Sequence, residues 1–144
     1  MSSAARPLFA AADSPAALPR VTWRLIPGKG RGVIAEEDIA AGTVILRDPV
    51  VVLPPEDYDN VEATRVGRYT FEWTDDGEDL AVVLGLGSLI NHGLAENVKL
   101  DSDYDAMTMV FTAIKDIKRG EELVYDYGAE PEDMTGYYGI PLDA

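Results

Sequence analysis

Asp116-Ile117-Lys118-Arg119-Gly120-Glu121-Glu122-Leu123-Val124-Tyr125-Asp126-Tyr127-Gly128 decides how this chain is read. An Asp at such a position accepts bonds from nearby backbone amides and opens a single helical turn, and the Ile after it plugs that turn into a core. Gly120 can take the left-handed conformation that closes the turn, after which Leu123 to Tyr127 alternates as a strand does. With a side-chain period of two, Tyr125 and Tyr127 share a face, and paired phenols can line an apolar slot with hydroxyls inside it. The opening of the stretch also occurs earlier: Ala35 to Leu46 and Ala113 to Val124 both read A-x-x-D-I-x-x-G-x-x-[IL]-[LV]. Two copies predict two similar strand–turn–strand corners in one domain, since a solenoid needs three or more repeats.

Outward from these corners the chain reads as short strands between turn signals. Strands are expected over Val21 to Ile26, Val33 to Ala35, Thr43 to Leu46 and Val50 to Leu53, the last stopped by Pro54-Pro55. Glu56 to Gly67 is the one helical stretch expected before residue 90, with acids near its start and Arg65 and Arg68 near its end. Tyr69 to Thr74 and Leu80 to Leu84 form a hairpin around Asp75-Asp76-Gly77. A second hairpin joins Val98–Leu100 to Met107–Ile114 through a turn at Ser102 to Asp105, with Met107, Met109 and Phe111 as one core-facing stripe. Residues 1–20, rich in Ala, Pro and Ser, read as a flexible arm, 21–128 as the folded domain, and 129–144 as a C-terminal tail that turns near the functional site.

Composition removes several function classes. The 144 residues suit one domain, large enough to bury about 68–70% of its unfolded surface. With no cysteine and one histidine, disulfides, zinc ribbons, thiolate nucleophiles and multi-histidine metal sites are excluded, and no metal site is expected. The longest nearly apolar run, Leu80 to Ile90, is far short of the ~20 residues a membrane span needs, so no membrane partner is expected. The first twenty residues lack a basic segment followed by a clean apolar stretch, which argues against a signal peptide and for a cytoplasmic protein. The net charge of −14 argues against direct nucleic-acid binding and suits a basic protein partner. Oligomeric state is not legible.

Three clusters concentrate chemistry. Gly28-Lys29-Gly30-Arg31-Gly32 lets backbone approach a ligand and could receive a carboxylate or phosphate, but it lacks the spacing and following helix of a P-loop or dinucleotide fold. Gly85 to Gly93 ends an apolar run with Asn91-His92, followed by Asn97, and each such side chain, if buried, needs partners. Gly120 to Gly128 carries the two tyrosines. Taken singly, each cluster reads more readily as a turn or a piece of core than as a site.

In order along the chain, G-x-G-x-G-V, L-I-N-H with a later Asn, and D-I-x-x-G-E-E-L-V-Y-D-Y-G resemble the SET-domain family of protein-lysine methyltransferases, over about two-thirds of the chain from Lys29 to Gly128. The resemblance implies a mostly β fold, a β-clip of short curved sheets with a C-terminal pseudoknot and few short helices. It implies S-adenosyl-L-methionine as cofactor, bound by Lys29, Gly30, Arg31, Gly32, Asn91, His92 and Tyr127, the histidine through its main chain. It implies Tyr127 as the catalytic residue and Tyr125 as the residue that limits the product to monomethyl-lysine, with Phe71, Trp73 and Tyr104 as candidate walls of a lysine slot. The substrate would be a basic, lysine-containing protein or peptide. Gly93 and Glu96 stand where the family usually has Ser and Pro. Two rival readings are a non-catalytic β-clip module of the SAF type, suggested by Val33 to Leu46 alone, and a SET fold that binds basic proteins without turnover.

Overall fold

Glycine and aspartate chemistry sets the two corners, and the corners set the fold. In the computed structural model, which describes residues 17–128, Gly42 and Gly120 adopt φ of 87° and 90°, the left-handed region expected of them. The aspartates do something that local sequence does not foretell. Asp38 Oδ1 accepts from the Arg119 amide and Asp116 Oδ1 from the Ala41 amide, each at 2.9 Å, so each corner caps the other rather than itself. Ile39 and Ile117 exchange main-chain bonds of 2.8 Å and are both buried, which completes a pseudo-symmetric clasp. Side-chain caps of this kind contribute about 0.5–2 kcal/mol each.

The clasp joins two curled sheets. The first has the order β1-β2-β9-β6: Val21–Ile26 (β1), Gly30–Ala35 (β2), Glu122–Tyr125 (β9) and Asn91–His92 (β6). The second has the order β4-β5-β3-β8-β7: Thr70–Glu72 (β4), Leu80–Val83 (β5), Val44–Leu53 (β3), Thr108–Ala113 (β8) and Val98–Asp103 (β7). Val33, Ile45, Ile90, Val98, Met109, Phe111, Ile117 and Leu123 fill the space between. The mostly β architecture expected from the sequence is therefore the one observed.

The topology matters most at β9. It pairs antiparallel with β2 and parallel with β6, so the C-terminal strand is threaded between elements far earlier in the chain. Residues 91–97 then strap it. Gly93 N–H donates to Tyr125 O at 3.1 Å and Asn97 N–H to Val124 O at 3.0 Å, while the buried Asn97 side chain donates to Glu122 O and accepts from Val124 N–H, both at 2.9 Å.

Several boundaries differ from expectation for identifiable reasons. The two expected strands at 43–46 and 50–53 are parts of one ten-residue strand, Val44–Leu53, which starts one residue after Thr43. It pairs with β8 up to Pro49 and with β5 from Val50, so the proline sits where the partner changes. The expected helix over 56–67 reduces to Tyr58–Glu62 (α1), flanked by 3-10 turns at Pro55–Asp57 and Arg65–Tyr69. Thr64 is extended (φ −113°, ψ 165°) and its hydroxyl donates to Val61 O at 2.7 Å, an alternative to helix that threonine offers readily. The first hairpin turns through a wider loop closed by Trp73 N–H to Asp79 O at 2.9 Å, and β4 starts only at Thr70. In the second hairpin β7 runs on to Asp103, and the turn falls at residues 104–107. Met107 takes φ 52° in that turn and is exposed, so the core stripe on β8 is Met109 and Phe111 without it. The last strand ends at Tyr125, two residues before Tyr127. The arm at 1–16 and the tail at 129–144 lie outside the described residues.

Candidate active site

The three sequence clusters meet around β9. Gly28 and Gly30, with φ of 77° and 76°, turn β1 into β2 and bring Lys29 over the sheet. Lys29 Nζ donates to Glu122 Oε1 at 3.0 Å. Asn91 Nδ2 donates to Glu122 Oε2 at 2.8 Å and to Arg31 O at 3.0 Å. Gly32 passes directly behind this contact: a Cβ there would lie 2.7 Å from Glu122 Oε2 and 2.8 Å from Asn91 Nδ2. Close approach is the reason for glycine at this position.

Beside the polar cluster runs a file of aromatic rings. Phe111, in the core, meets Phe71 edge to face at 6.3 Å; Phe71 stacks on Tyr125 at 6.0 Å; Tyr125 meets Tyr127 at 4.8 Å; and Tyr127 meets His92 at 5.2 Å. Such pairs contribute about 0.5–1.5 kcal/mol each beyond their burial, so the file couples the site to the core. Tyr127 leaves the strand yet keeps its place, because its hydroxyl donates to Ile90 O at 2.9 Å and its N–H to His92 Nδ1 at 3.1 Å. Trp73 and Tyr104 form a separate edge-to-face pair at 5.3 Å, with Ser102 Oγ donating to Trp73 O.

A cleft of about 1310 Å³ unites these groups. Lys29, Gly30, Arg31 and Asn91 line it, as do Tyr125, Tyr127, Phe71, Trp73 and Tyr104. Phe71 and Trp73 also belong to the buried core, so each serves packing and cleft wall together. Gly32 and His92 do not line the cleft; they stand behind the wall, the first beneath Asn91 and Glu122, the second beneath Tyr127. Glu122 and Asp48 are structurally central, and sequence reasoning does not pick them out as site residues; Asn97, singled out beside Asn91-His92, is buried with the partners it needs on β9. For Glu122 the available signal is an acid inside a strand otherwise written in apolar and aromatic residues.

Electrostatics keeps His92 neutral. Burial is the main cause of its lowered pKa, Lys29 adds to it, and Asp126 opposes it. The geometry agrees: Nδ1 accepts the Tyr127 N–H, which a protonated ring could not do. A histidine held below its ordinary value of 6.5 contributes stability that is complete above that pH and is lost as pH falls toward the lowered folded value. Denaturant titrations between pH 7.5 and 5 are therefore expected to show stability falling with acid below about pH 6.5. His92→Asn, which keeps an acceptor near Nδ1 but does not titrate there, should flatten that part of the profile. An unchanged slope would remove His92 as its cause. Asp48 shows the opposite carboxylate case. Burial raises its pKa, only partly offset by the Gly87 N–H that donates to Oδ2 at 2.8 Å.

Among the described residues there is no cluster of three or more potential metal ligands, and no helix is long and apolar enough to cross a membrane.

The family pattern of the SET domain matches residues 30–128. The histone-lysine N-methyltransferase of Schizosaccharomyces pombe specific for H3 lysine-37 is 38% identical over 101 residues, covering 69% of this chain and 67% of that protein. The N-lysine methyltransferase KMT5A-A of Xenopus laevis is 32% identical over 120 residues, covering 75% of this chain and 36% of that protein. Among solved structures, an active Polycomb repressive complex 2 in the stimulated state superposes with a TM-score of 0.67 at 26% identity, over 78% of this chain and 16% of that one. The Chaetomium thermophilum complex in an autoinhibited conformation bound to S-adenosylmethionine gives 0.65 at 28% identity, over 78% and 15%. This chain thus spans about a third of the Xenopus relative and about a sixth of the Polycomb chains. The threaded β9, the glycine bend and the Asn-His and Tyr-Asp-Tyr segments converging on one cleft are the structural counterpart of that match, and the chain belongs to the SET-domain family.

Proposed function

We propose that the protein is a protein-lysine N-methyltransferase that uses S-adenosylmethionine and places a single methyl group on a lysine of a basic protein or peptide. The observation that carries this reading is one cleft lined both by the cationic glycine bend with Asn91 and by the aromatic file ending in Tyr125 and Tyr127. Relatives named as lysine methyltransferases support it.

The residues present suit the cofactor. Lys29 and Arg31 offer cationic and main-chain donors where a carboxylate-bearing ligand needs them, and at Gly30 no side chain stands between backbone and cleft. Bound by Lys29, Gly30, Arg31, Asn91 and Tyr127, S-adenosylmethionine would supply an electrophilic methyl group and its own leaving group. The protein must then deliver a neutral amine. A lysine side chain in water titrates at about pH 10.4, so neutralising it at pH 7 costs about 4.6 kcal/mol. Aromatic walls at Phe71, Trp73 and Tyr125 strip water from the ammonium and lower that cost. The Tyr127 hydroxyl has its single hydrogen on Ile90 O, so toward an incoming amine it acts as an acceptor that orients, not as an acid. The Tyr125 hydroxyl would hold the amine and fill the room that a second methyl needs.

Incubation with methyl-labelled cofactor and a lysate of basic proteins, followed by mass spectrometry of the modified lysine, is expected to show mainly monomethyl product. Tyr125→Phe should admit a second methyl at comparable turnover. Trimethyl product from the unaltered protein would remove the role given to Tyr125, and no transfer at all would favour a binding module.

A further inference from the structure

We infer that Glu122 is a positioning residue for the cofactor wall of the cleft, holding Lys29 and Asn91 in register with one another. This rests on the reading of that wall as an S-adenosylmethionine site, and it adds a residue that touches neither cofactor nor lysine.

Glu122 sits on β9 opposite Ile34 of β2, with its side chain 16% exposed. Both carboxylate oxygens are taken by donors from distant segments: Lys29 Nζ on Oε1 at 3.0 Å and Asn91 Nδ2 on Oε2 at 2.8 Å. The base of the residue is pinned as well, since its carbonyl accepts from Asn97 Nδ2 at 2.9 Å. The same Asn91 nitrogen reaches Arg31 O, so the carboxylate, the amide and the glycine bend form one connected unit. Gly32 leaves room for it, because any Cβ there would press into Glu122 Oε2 and Asn91 Nδ2. A single carboxylate therefore ties together all three sequence motifs.

The chemistry specifies an anion. Two donors face two acceptor oxygens, and one of the donors is an ammonium, which strengthens its bond. Glutamine has the same shape but presents one acceptor and one donor, so it can satisfy only one of the two. Without the charge Lys29 is released toward solvent and the Asn91 amide loses the partner that sets its orientation.

The test is Glu122→Gln, read in two independent ways. The dissociation constant for S-adenosylmethionine, measured by calorimetry, is expected to rise at least about ten-fold. In methyl transfer the loss should appear in the cofactor KM, with kcat at saturation and the KM for a basic lysine peptide within about three-fold of the unaltered protein. A merely structural residue would lower the fraction of active protein instead and leave the cofactor KM alone. The second reading needs no cofactor. Acylation of surface amines by acetic anhydride, followed by peptide mass spectrometry, should show Lys29 reacting several-fold faster in the variant while Lys99 is unchanged. Lys29→Met, alone and combined with Glu122→Gln, provides a variant without a buried change. The combined loss of affinity should fall short of the sum of the two. Unchanged cofactor affinity, unchanged Lys29 reactivity, or full additivity would each overturn the assignment. If the unaltered protein binds no S-adenosylmethionine, the proposed function fails, and the Lys29 measurement still decides whether Glu122 holds this wall.

Discussion

Phenylalanine at position 127 is expected to cut turnover in methyl transfer by about 10²–10³-fold, the usual effect of removing one preorganised polar group from a reacting centre. The substitution is unusually clean here. It keeps the ring against Tyr125 at 4.8 Å and against His92 at 5.2 Å, and it leaves the main-chain bond from Tyr127 to His92 Nδ1 untouched. The hydroxyl and its 2.9 Å bond to Ile90 O are lost. Cofactor affinity should change by less than about three-fold, since the ring and main chain of residue 127 are kept and Lys29, Arg31 and Asn91 are held by a separate network. The buried Ile90 carbonyl loses a donor, so a stability decrease of about 1–3 kcal/mol should accompany the loss of turnover. Initial rates with labelled cofactor, corrected for the folded fraction from a melting curve, check both parts. Turnover within a few-fold of the unaltered protein would take Tyr127 out of the reaction.

The largest expected effect on stability is at Phe111. Its ring is fully buried, packs edge to face on Phe71, and lies against Gly87, where any Cβ would strike it. Phe111→Ala should cost about 3–5 kcal/mol, through lost transfer energy and the cavity left behind. Against a total of about 5–15 kcal/mol for an ordinary domain, that can leave the chain partly unfolded at 37 °C. Gly87→Ala should also destabilise, by about 1–3 kcal/mol, because the added methyl collides with the ring and with Asp48 Oδ2. The two changes are coupled. In the Phe111→Ala background the collision with the ring is gone and only the contact with Asp48 Oδ2 remains, so the cost of Gly87→Ala should be clearly smaller in urea titrations of the four proteins. Strict additivity would show that the 86–89 turn moves away from β8 to make room for the methyl. Activity should fall along with stability in Phe111→Ala, since Phe71 bridges Phe111 to Tyr125.

The turns and strands that frame the cleft are legible in the chain, and the reason is local chemistry. The bend at Gly28 and Gly30, the closing residues Gly42 and Gly120, and the alternation over 108–113 are properties of a few consecutive residues, and the structure shows them where the sequence predicts them. Of the residues that the motifs and the resemblance name, Lys29, Gly30, Arg31, Asn91, Tyr125, Tyr127, Phe71, Trp73 and Tyr104 line the cleft, whereas Gly32 and His92 stand behind it, and much of the remaining wall comes from residues outside the motifs. The stretch at 56–67 departs from the expected helix because its polar and apolar residues have no clear period, and Thr64 offers its own hydroxyl bond in place of a longer helix. Met107 leaves the expected core stripe for a related reason: alternation is only meaningful inside a strand, and the turn lies later than its spacing suggests.

What the amino-acid order determined by itself is the set of corners, strands and motif residues, because conformational freedom at glycine, alternation in strands and short-range capping act between neighbours. Which groups those residues would meet was decided only in three dimensions. Asp38 and Asp116 cap each other's corner across 81 and 75 positions of sequence, and Glu122 reaches Lys29 across 93. A short polar side chain carries no label for its partner; the threading of β9 between β2 and β6 supplies one, by bringing distant donors and acceptors within about 3 Å of each other.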